Sequence, residues 1–199
     1  MAIALRCRCG KLEGEVDPAR VKARAVCYCK DCQAFARFLK AEGEVLDSAG
    51  GTEVEAMLPA GLRFTRGVEH LACMSLSPKG IYRWYASCCD TPVGNTPRNP
   101  KASYVGLVRA CLAATPQELD RQLGRSRIAA NTESAHGPVG KTPLATLFVV
   151  ARLGTMLARA RIGGAWRQNP FFDAAGAPVR APRVLSREER AAVTPAVNS

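Results

Sequence analysis

Apolar and polar positions alternate in short runs through the first half of the chain. Leu12–Val16 and Val21–Val26 each carry the two-residue period of a strand with one covered face, and Asp17-Pro18 supplies the turn between them. The same period returns at Thr52–Met57, Leu62–Thr65, His70–Ser75 and Ile81–Tyr85, punctuated by Gly50-Gly51, Pro59-Ala60-Gly61 and Pro78-Lys79-Gly80. Short strands at this spacing predict small antiparallel sheets rather than a parallel α/β sheet. One short helix interrupts them: Cys32–Leu39 places Phe35, Phe38 and Leu39 on a single face.

After Asn99 the pattern changes. Tyr104–Leu112 is apolar and suits a strand or a helix; Tyr104, Val108, Cys111 and Leu112 share a helical face, which favours the helix. Thr115-Pro116-Gln117-Glu118 has the form of a capping box with proline at the first helical position. Residues 126–143 read as a loop, and Thr142-Pro143 opens the longest helix, Leu144–Ile162, closed by Gly163-Gly164. The division that follows is a β domain at 1–100, a helical extension at 101–168 and an extended Pro-rich tail at 169–199. The expected class is mainly β, with small antiparallel sheets and a C-terminal α-helical extension.

The long helix raises the question of a membrane. Its most apolar run, Leu144–Leu157, has 14 residues, short of the roughly 18–20 that span a bilayer, and Arg152 lies within it, so no transmembrane segment is expected. Arg152, Thr155 and Arg159 form one stripe, and Leu144, Leu147, Phe148 and Ala151 form another. This predicts an amphipathic helix packed on the protein's own core or on a subunit interface, with attachment to a membrane surface as the alternative.

Composition adds a compartment and a chemistry. With 47% hydrophobic and 23% charged residues the chain can bury a core, which excludes disorder throughout. The opening residues MAIALRCRCG hold no apolar run of signal-peptide length, so a cytoplasmic protein is expected. In that compartment nine cysteines stay reduced, and clustered thiols point to metal before disulfides. The formal net charge of +11 falls to about +8 if two zinc ions take three and four thiolates. The basic residues are scattered and Trp and Tyr are few, so no specific nucleic acid is expected, and the charge suits a small anionic substrate.

Seven of the cysteines form three groups. In Cys7-Arg8-Cys9-Gly10, residues two apart in an extended segment face one side, and Gly10 permits a tight turn. Cys27-Tyr28-Cys29-Lys30-Asp31-Cys32 joins such a pair to a C-x-x-C knuckle. Its three thiolates would leave one tetrahedral position open on zinc, the mark of a catalytic rather than a structural site. Lys30, beside the knuckle, would favour the thiolate forms. In Cys88-Cys89-Asp90-Thr91-Pro92, Cys89 is placed to ligate, and Cys88 either joins it or supplies a nearby thiol. Cys73 and Cys111 stand alone and read as small apolar fillers. His70, in a strand pattern, reads as structural, and His136 lies in a loop.

The order C-x-C-G, then C-x-C-x-x-C, then C-x-T-P resembles the glutathione-dependent formaldehyde-activating enzyme (GFA) and centromere-protein-V-like superfamily, over residues 1–95. The resemblance implies a zinc β-tent fold with two Zn2+ ions. It implies a structural zinc held by Cys7, Cys9 and Cys89, where either Cys88 stands in for the family's other late cysteine or the site has three protein sulfurs. It implies a second zinc, linked to glutathione-adduct chemistry, at Cys27, Cys29 and Cys32. Three positions depart from the family: Ala86 replaces the late pair's first cysteine, Asp90 the glycine, and Tyr28 the histidine between the middle pair. The expected function is reversible carbon–sulfur bond formation or cleavage on a thiol adduct such as S-hydroxymethylglutathione, a lyase of the GFA type, with glutathione as the substrate thiol. The alternative is a non-catalytic zinc-stapled module whose helical extension binds a partner protein.

Overall fold

The alternating stretches form strands in two sheets that share one core. A computed structural model describes residues 1–125 and 127–194. The smaller sheet has the order β1 (Ile3–Arg6), β2 (Glu13–Val16), β5 (Leu62–Arg66), all antiparallel. The larger sheet adds β3 (Val21–Cys27), β4 (Thr52–Met57), β6 (Leu71–Ser75), β7 (Tyr82–Ala86), β8 (Thr91–Thr96), β9 (Val105–Val108), β10 (Ile128–Ala130) and β11 (Arg183–Val184). Its order is β10-β3-β4-β9-β8-β7-β6-β11, antiparallel except for the parallel pairs β10–β3 and β11–β6 at its two edges.

The period of two decides which side chains enter the core. Ile3 and Leu5 point inward from β1 while Ala4 and Arg6 face solvent, and Trp84 from β7 is fully buried opposite them. The Trp84 indole N–H donates to the Thr96 hydroxyl at 2.9 Å, so the largest core side chain has its one polar atom satisfied. On the far side of the large sheet, α1 (Lys30–Phe38) packs Ala34, Phe35 and Leu39 against Met74 and Leu76. A short helix, α2 (Glu42–Val45), follows it.

Three expectations are corrected in the second half. Tyr104–Leu112 is not a helix: it supplies β9, a central strand with all four residues buried, and then a single tight turn at Arg109–Cys111. A strand covered on both faces has no alternation, so its apolar run cannot be told from a helix by period alone. The loop expected at 126–143 contains β10, whose three residues are too few to show a period. The tail at 169–199 is not simply extended. Phe171 is fully buried with its ring centroid 4.8 Å from that of Trp84, Arg183–Val184 adds the edge strand β11, and α5 (Arg187–Val193) leans on α1. Residues 195–199 of that tail lie outside the described residues.

The two expected helices form. In α3 (Pro116–Leu123) both bonds of the capping box are made: the Glu118 amide donates to the Thr115 hydroxyl at 3.2 Å, and the Thr115 amide donates to the Glu118 carboxylate at 2.7 Å. A buried ion pair holds α3 to the sheet. Arg24 on β3 reaches Glu55 on β4 at 3.1 Å and Asp120 on α3 at 2.6 Å. The long helix α4 runs from Pro143 to Ile162, but its covered face is not the expected one. Met156 and Ala160, with Leu153 and Leu157, lie against Leu58, whereas Leu144, Leu147 and Phe148 face solvent. Because α4 is apolar almost all round, its pattern does not select a face; the apolar surface beneath it does.

Candidate metal centres

The first centre is built by two tight turns at one end of the core. Cys7 follows β1, and the chain reverses at Gly10, whose φ of +74° only glycine adopts without strain. The Gly10 amide donates to the Cys7 carbonyl at 2.9 Å, and the Leu12 amide donates to the Cys7 sulfur at 3.3 Å. The facing turn joins β7 to β8. There Asp90 holds the left-handed φ of +54°, which an aspartate tolerates better than most residues. That reversal lets adjacent Cys88 and Cys89 turn the same way, which a straight strand forbids. The Arg8 amide donates to Thr91 Oγ1 at 3.0 Å and locks the two turns together.

Four sulfurs converge there. Cys7 Sγ lies 3.6 Å from Cys9 Sγ and 3.8 Å from Cys88 Sγ; Cys9 and Cys88 are 3.3 Å apart, Cys88 and Cys89 3.9 Å. All four sit within 4.8 Å of one another. Sulfurs at 2.3 Å from a tetrahedral ion stand about 3.8 Å apart, so the set fits a four-thiolate site. Cys88 is thus one of the four converging residues. Burial, then the neighbouring sulfurs of Cys9 and Cys7, hold the Cys88 thiol above its ordinary range. At Cys89 burial also pushes upward, but hydrogen bonds from Thr91 and Cys9 outweigh it and favour the thiolate.

The second centre sits where β3 runs into α1. Cys27 ends β3, and Cys29 is the N-cap of α1, its sulfur accepting from the Cys32 amide at 3.3 Å. A sulfur here does the work usually done by a Ser or Asp oxygen at a helix start. The sulfurs of Cys27, Cys29 and Cys32 lie within 4.8 Å of one another. Among the described residues no fourth His, Cys, Asp or Glu ligand atom joins them. Cys27 and Cys29 are half-buried, so one side of the group faces solvent.

The charge state of this group is lopsided. Cys29 and Cys32 both direct hydrogen bonds at Cys27, which lowers its pKa; the same bonds raise those of Cys29 and Cys32. Three sulfurs this close cannot all ionise unaided, and a divalent cation is what would stabilise three thiolates at once. The cation nearest in effect is Arg83, buried on β7, which acts on Cys32; Lys30 had been the expected one.

Residues distant in the chain complete the surroundings. Asn131, at a left-handed φ of +55° just after β10, donates its Nδ2 to Cys27 Sγ at 3.3 Å. Gln33, almost fully buried, donates to the carbonyls of Tyr28 at 2.8 Å and Ser134 at 2.9 Å, and its Oε1 lies 2.8 Å from His136 Nε2. Burial, and after it the charge of Cys27 and Cys32, pushes the Tyr104 hydroxyl up to about 12. The cysteine spacing had given no sign of Asn131 or Gln33, because each contact crosses about 100 residues and depends on β10 pairing with β3. Tyr28, where a histidine was expected by resemblance, donates its hydroxyl to Asp47 at 3.2 Å.

The remaining candidates fall outside both groups. Cys73 and Cys111 are buried in the core, where burial raises both thiols to about 12, as suits apolar fillers. His70 ends a tight turn before β6, and neither it nor His136 joins a sulfur cluster.

Comparison with known proteins adds a family and a distant structure. Residues 1–181 match a family model described as a family of unknown function. No curated protein matches the chain. A crystal structure of a Rhodobacter sphaeroides protein, a structural-genomics target, aligns with a TM-score of 0.42 and 21% identity, covering 62% of this chain and 97% of that one.

Proposed function

The chain belongs to that family, DUF6151, over most of its length, and from its two sulfur clusters we propose a zinc protein with one structural and one reactive site. The structural zinc is held by Cys7, Cys9, Cys88 and Cys89 and ties β1 to the β7–β8 turn. The second is held by Cys27, Cys29 and Cys32. The observation that carries the reading is this second cluster: three converging sulfurs, those of Cys27 and Cys29 half-buried and that of Cys32 buried, with no fourth ligand atom joining them among the described residues.

Zinc bound there supplies a Lewis acid with an exchangeable position, which holds a thiol as its thiolate. The reaction that suits it is reversible addition of a thiol such as glutathione to a small carbonyl such as formaldehyde. The thiol sulfur bonds to the carbonyl carbon, the thiol proton passes to the carbonyl oxygen, and S-hydroxymethylglutathione results; the reverse breaks the same carbon–sulfur bond. Asn131 fixes Cys27, and the Gln33–His136 contact fixes the loop carrying Asn131. The basic surface draws in an anionic thiol. The resemblance to the GFA and centromere-protein-V-like superfamily, with its zinc β-tent, supports the same reading.

The test is exchange spectroscopy by NMR on glutathione and formaldehyde with the zinc-loaded protein. Faster exchange that disappears in Cys29→Ser is the expected result; exchange at the uncatalysed rate with both zincs bound overturns the catalytic reading. A second reading, a zinc-stapled module without catalysis, is favoured by the capping bond of Cys29, which gives the second cluster a structural task of its own. It predicts that glutathione leaves the visible spectrum of the cobalt-substituted protein unchanged.

A further inference from the structure

The outer face of α4 has no partner in the fold. Leu144 is 83% exposed, Leu147 68%, Phe148 67% and Ile162 88%, although all four stand on a 20-residue helix. At 100° per residue, Leu144, Leu147, Ala151, Gly154, Ala158 and Ile162 line a single stripe opposite the residues that pack on Leu58. Counted over its full 20 residues rather than its 14-residue apolar run, the helix is long and apolar enough by composition to cross a bilayer. It is nevertheless tied along its inner face by Met156 and Ala160, so it can lie on a membrane without leaving the protein. Isolated exposed apolar residues are ordinary, but a continuous stripe along five turns marks a contact surface.

Charge identifies what the stripe contacts. Between Glu133 and Asp173 there is no acidic residue, while Lys141, Arg152, Arg159, Arg161 and Arg167 are all basic. Among the described residues Arg152, Arg159 and Arg161 form no ion pair. Arg152 and Arg159 flank the stripe on one side and Arg161 on the other. Arg152 and Arg159 also line a groove of about 490 Å³ with Arg20 and Lys22; Arg20 has Asp17 at 3.7 Å as its partner, the one carboxylate paired there. Trp166, just beyond the helix, stacks with Arg167, an amphipathic pair of the kind that settles at headgroup level.

A second copy of this chain is a poor occupant. Two α4 helices face to face would oppose arginines to arginines with no carboxylate in the segment to pair them. Nucleic acid would use the arginines and leave the leucines and Phe148 in water. We propose that α4 is a docking surface for an anionic lipid bilayer, its apolar stripe set into the headgroup–acyl boundary and its flanking arginines, with the groove beside them, on lipid phosphates. Apolar burial and a basic patch together are the two signals that stable surface attachment needs.

The test is co-sedimentation of the full chain with vesicles of phosphatidylcholine alone or mixed equally with phosphatidylglycerol. Pelleting with the mixed vesicles only, weakened by salt, is expected. Leu147→Glu with Phe148→Glu should abolish it, and Arg152→Glu with Arg159→Glu should weaken it by about 25-fold or more, since each of the two lost charges near an anionic surface is worth roughly fivefold. All four side chains are exposed, and an unchanged circular dichroism spectrum verifies that the variants fold. Failure of the folded wild type to pellet with the mixed vesicles overturns the proposal. So does a lipid-free dimer abolished by the Leu147 and Phe148 changes, or duplex DNA binding lost with the arginines but not with those two.

Discussion

Cys9 and Cys29 have the same side chain and opposite expected consequences. Cys9 belongs to the four-sulfur group that joins β1 to the β7–β8 turn, and without it the remaining sulfurs hold that junction poorly. Cys9→Ser is expected to unfold the domain, read as loss of the far-ultraviolet circular dichroism of the folded sheet. Cys29→Ser is expected to release one zinc per chain, measured by metal analysis, while that spectrum persists. The two groups were legible as groups from spacing alone, since i, i+2 pairs and C-x-x-C turns are local geometry. The part that was not legible is what encloses them. Asn131 meets Cys27 only because β10 pairs in parallel with β3, and no local pattern announces a three-residue strand. Spacing alone does not decide whether Cys88 is ligand or bystander; the left-handed turn at Asp90 brings its sulfur to 3.3 Å from that of Cys9.

Readability followed alternation along the sequence rather than exposure in the fold. The strands from Glu13 to Ala86 mostly alternate apolar with polar or small residues in sequence, although β4, β6 and β7 are buried along almost their whole length. β9 is an unbroken apolar run, a pattern it shares with a helix. Helix α4 fails in the complementary way: its limits were plain from Thr142-Pro143 and Gly163, but its apolar surface nearly all round concealed which face is inward. The buried pair of Arg24 and Glu55, each side chain 2% exposed, belongs to this scale because it joins β3, β4 and α3. Arg24→Met leaves Glu55 without its partner in the interior and is expected to cost about 3–5 kcal/mol in urea denaturation. A smaller loss would mean that Glu55 finds water or takes up a proton, a course its burial-raised pKa already favours.

For the whole molecule, acid stability follows from the third member of that network. The hydrogen bond from Arg24 holds the Asp120 carboxyl below its ordinary 3.8. A depressed carboxyl contributes stability that is fully present above the unfolded value and is lost as pH falls through the folded one. Thermal melts should therefore lose stability below about pH 3.8, and Asp120→Asn should flatten that acid-side slope. The proposed zinc ions would add a second dependence, because chelation would remove the cations that make seven clustered thiolates compatible with a folded interior. Strong chelators are expected to lower the melting temperature sharply at neutral pH, with recovery on adding zinc.

Two convergent sulfur groups call for two ions, and counting those ions is the direct check. Plasma mass spectrometry on purified wild-type protein should find two zinc ions per chain, one for each convergent sulfur group. A folded chain free of metal, with all seven clustered thiols reacting at once toward a thiol reagent, would contradict it.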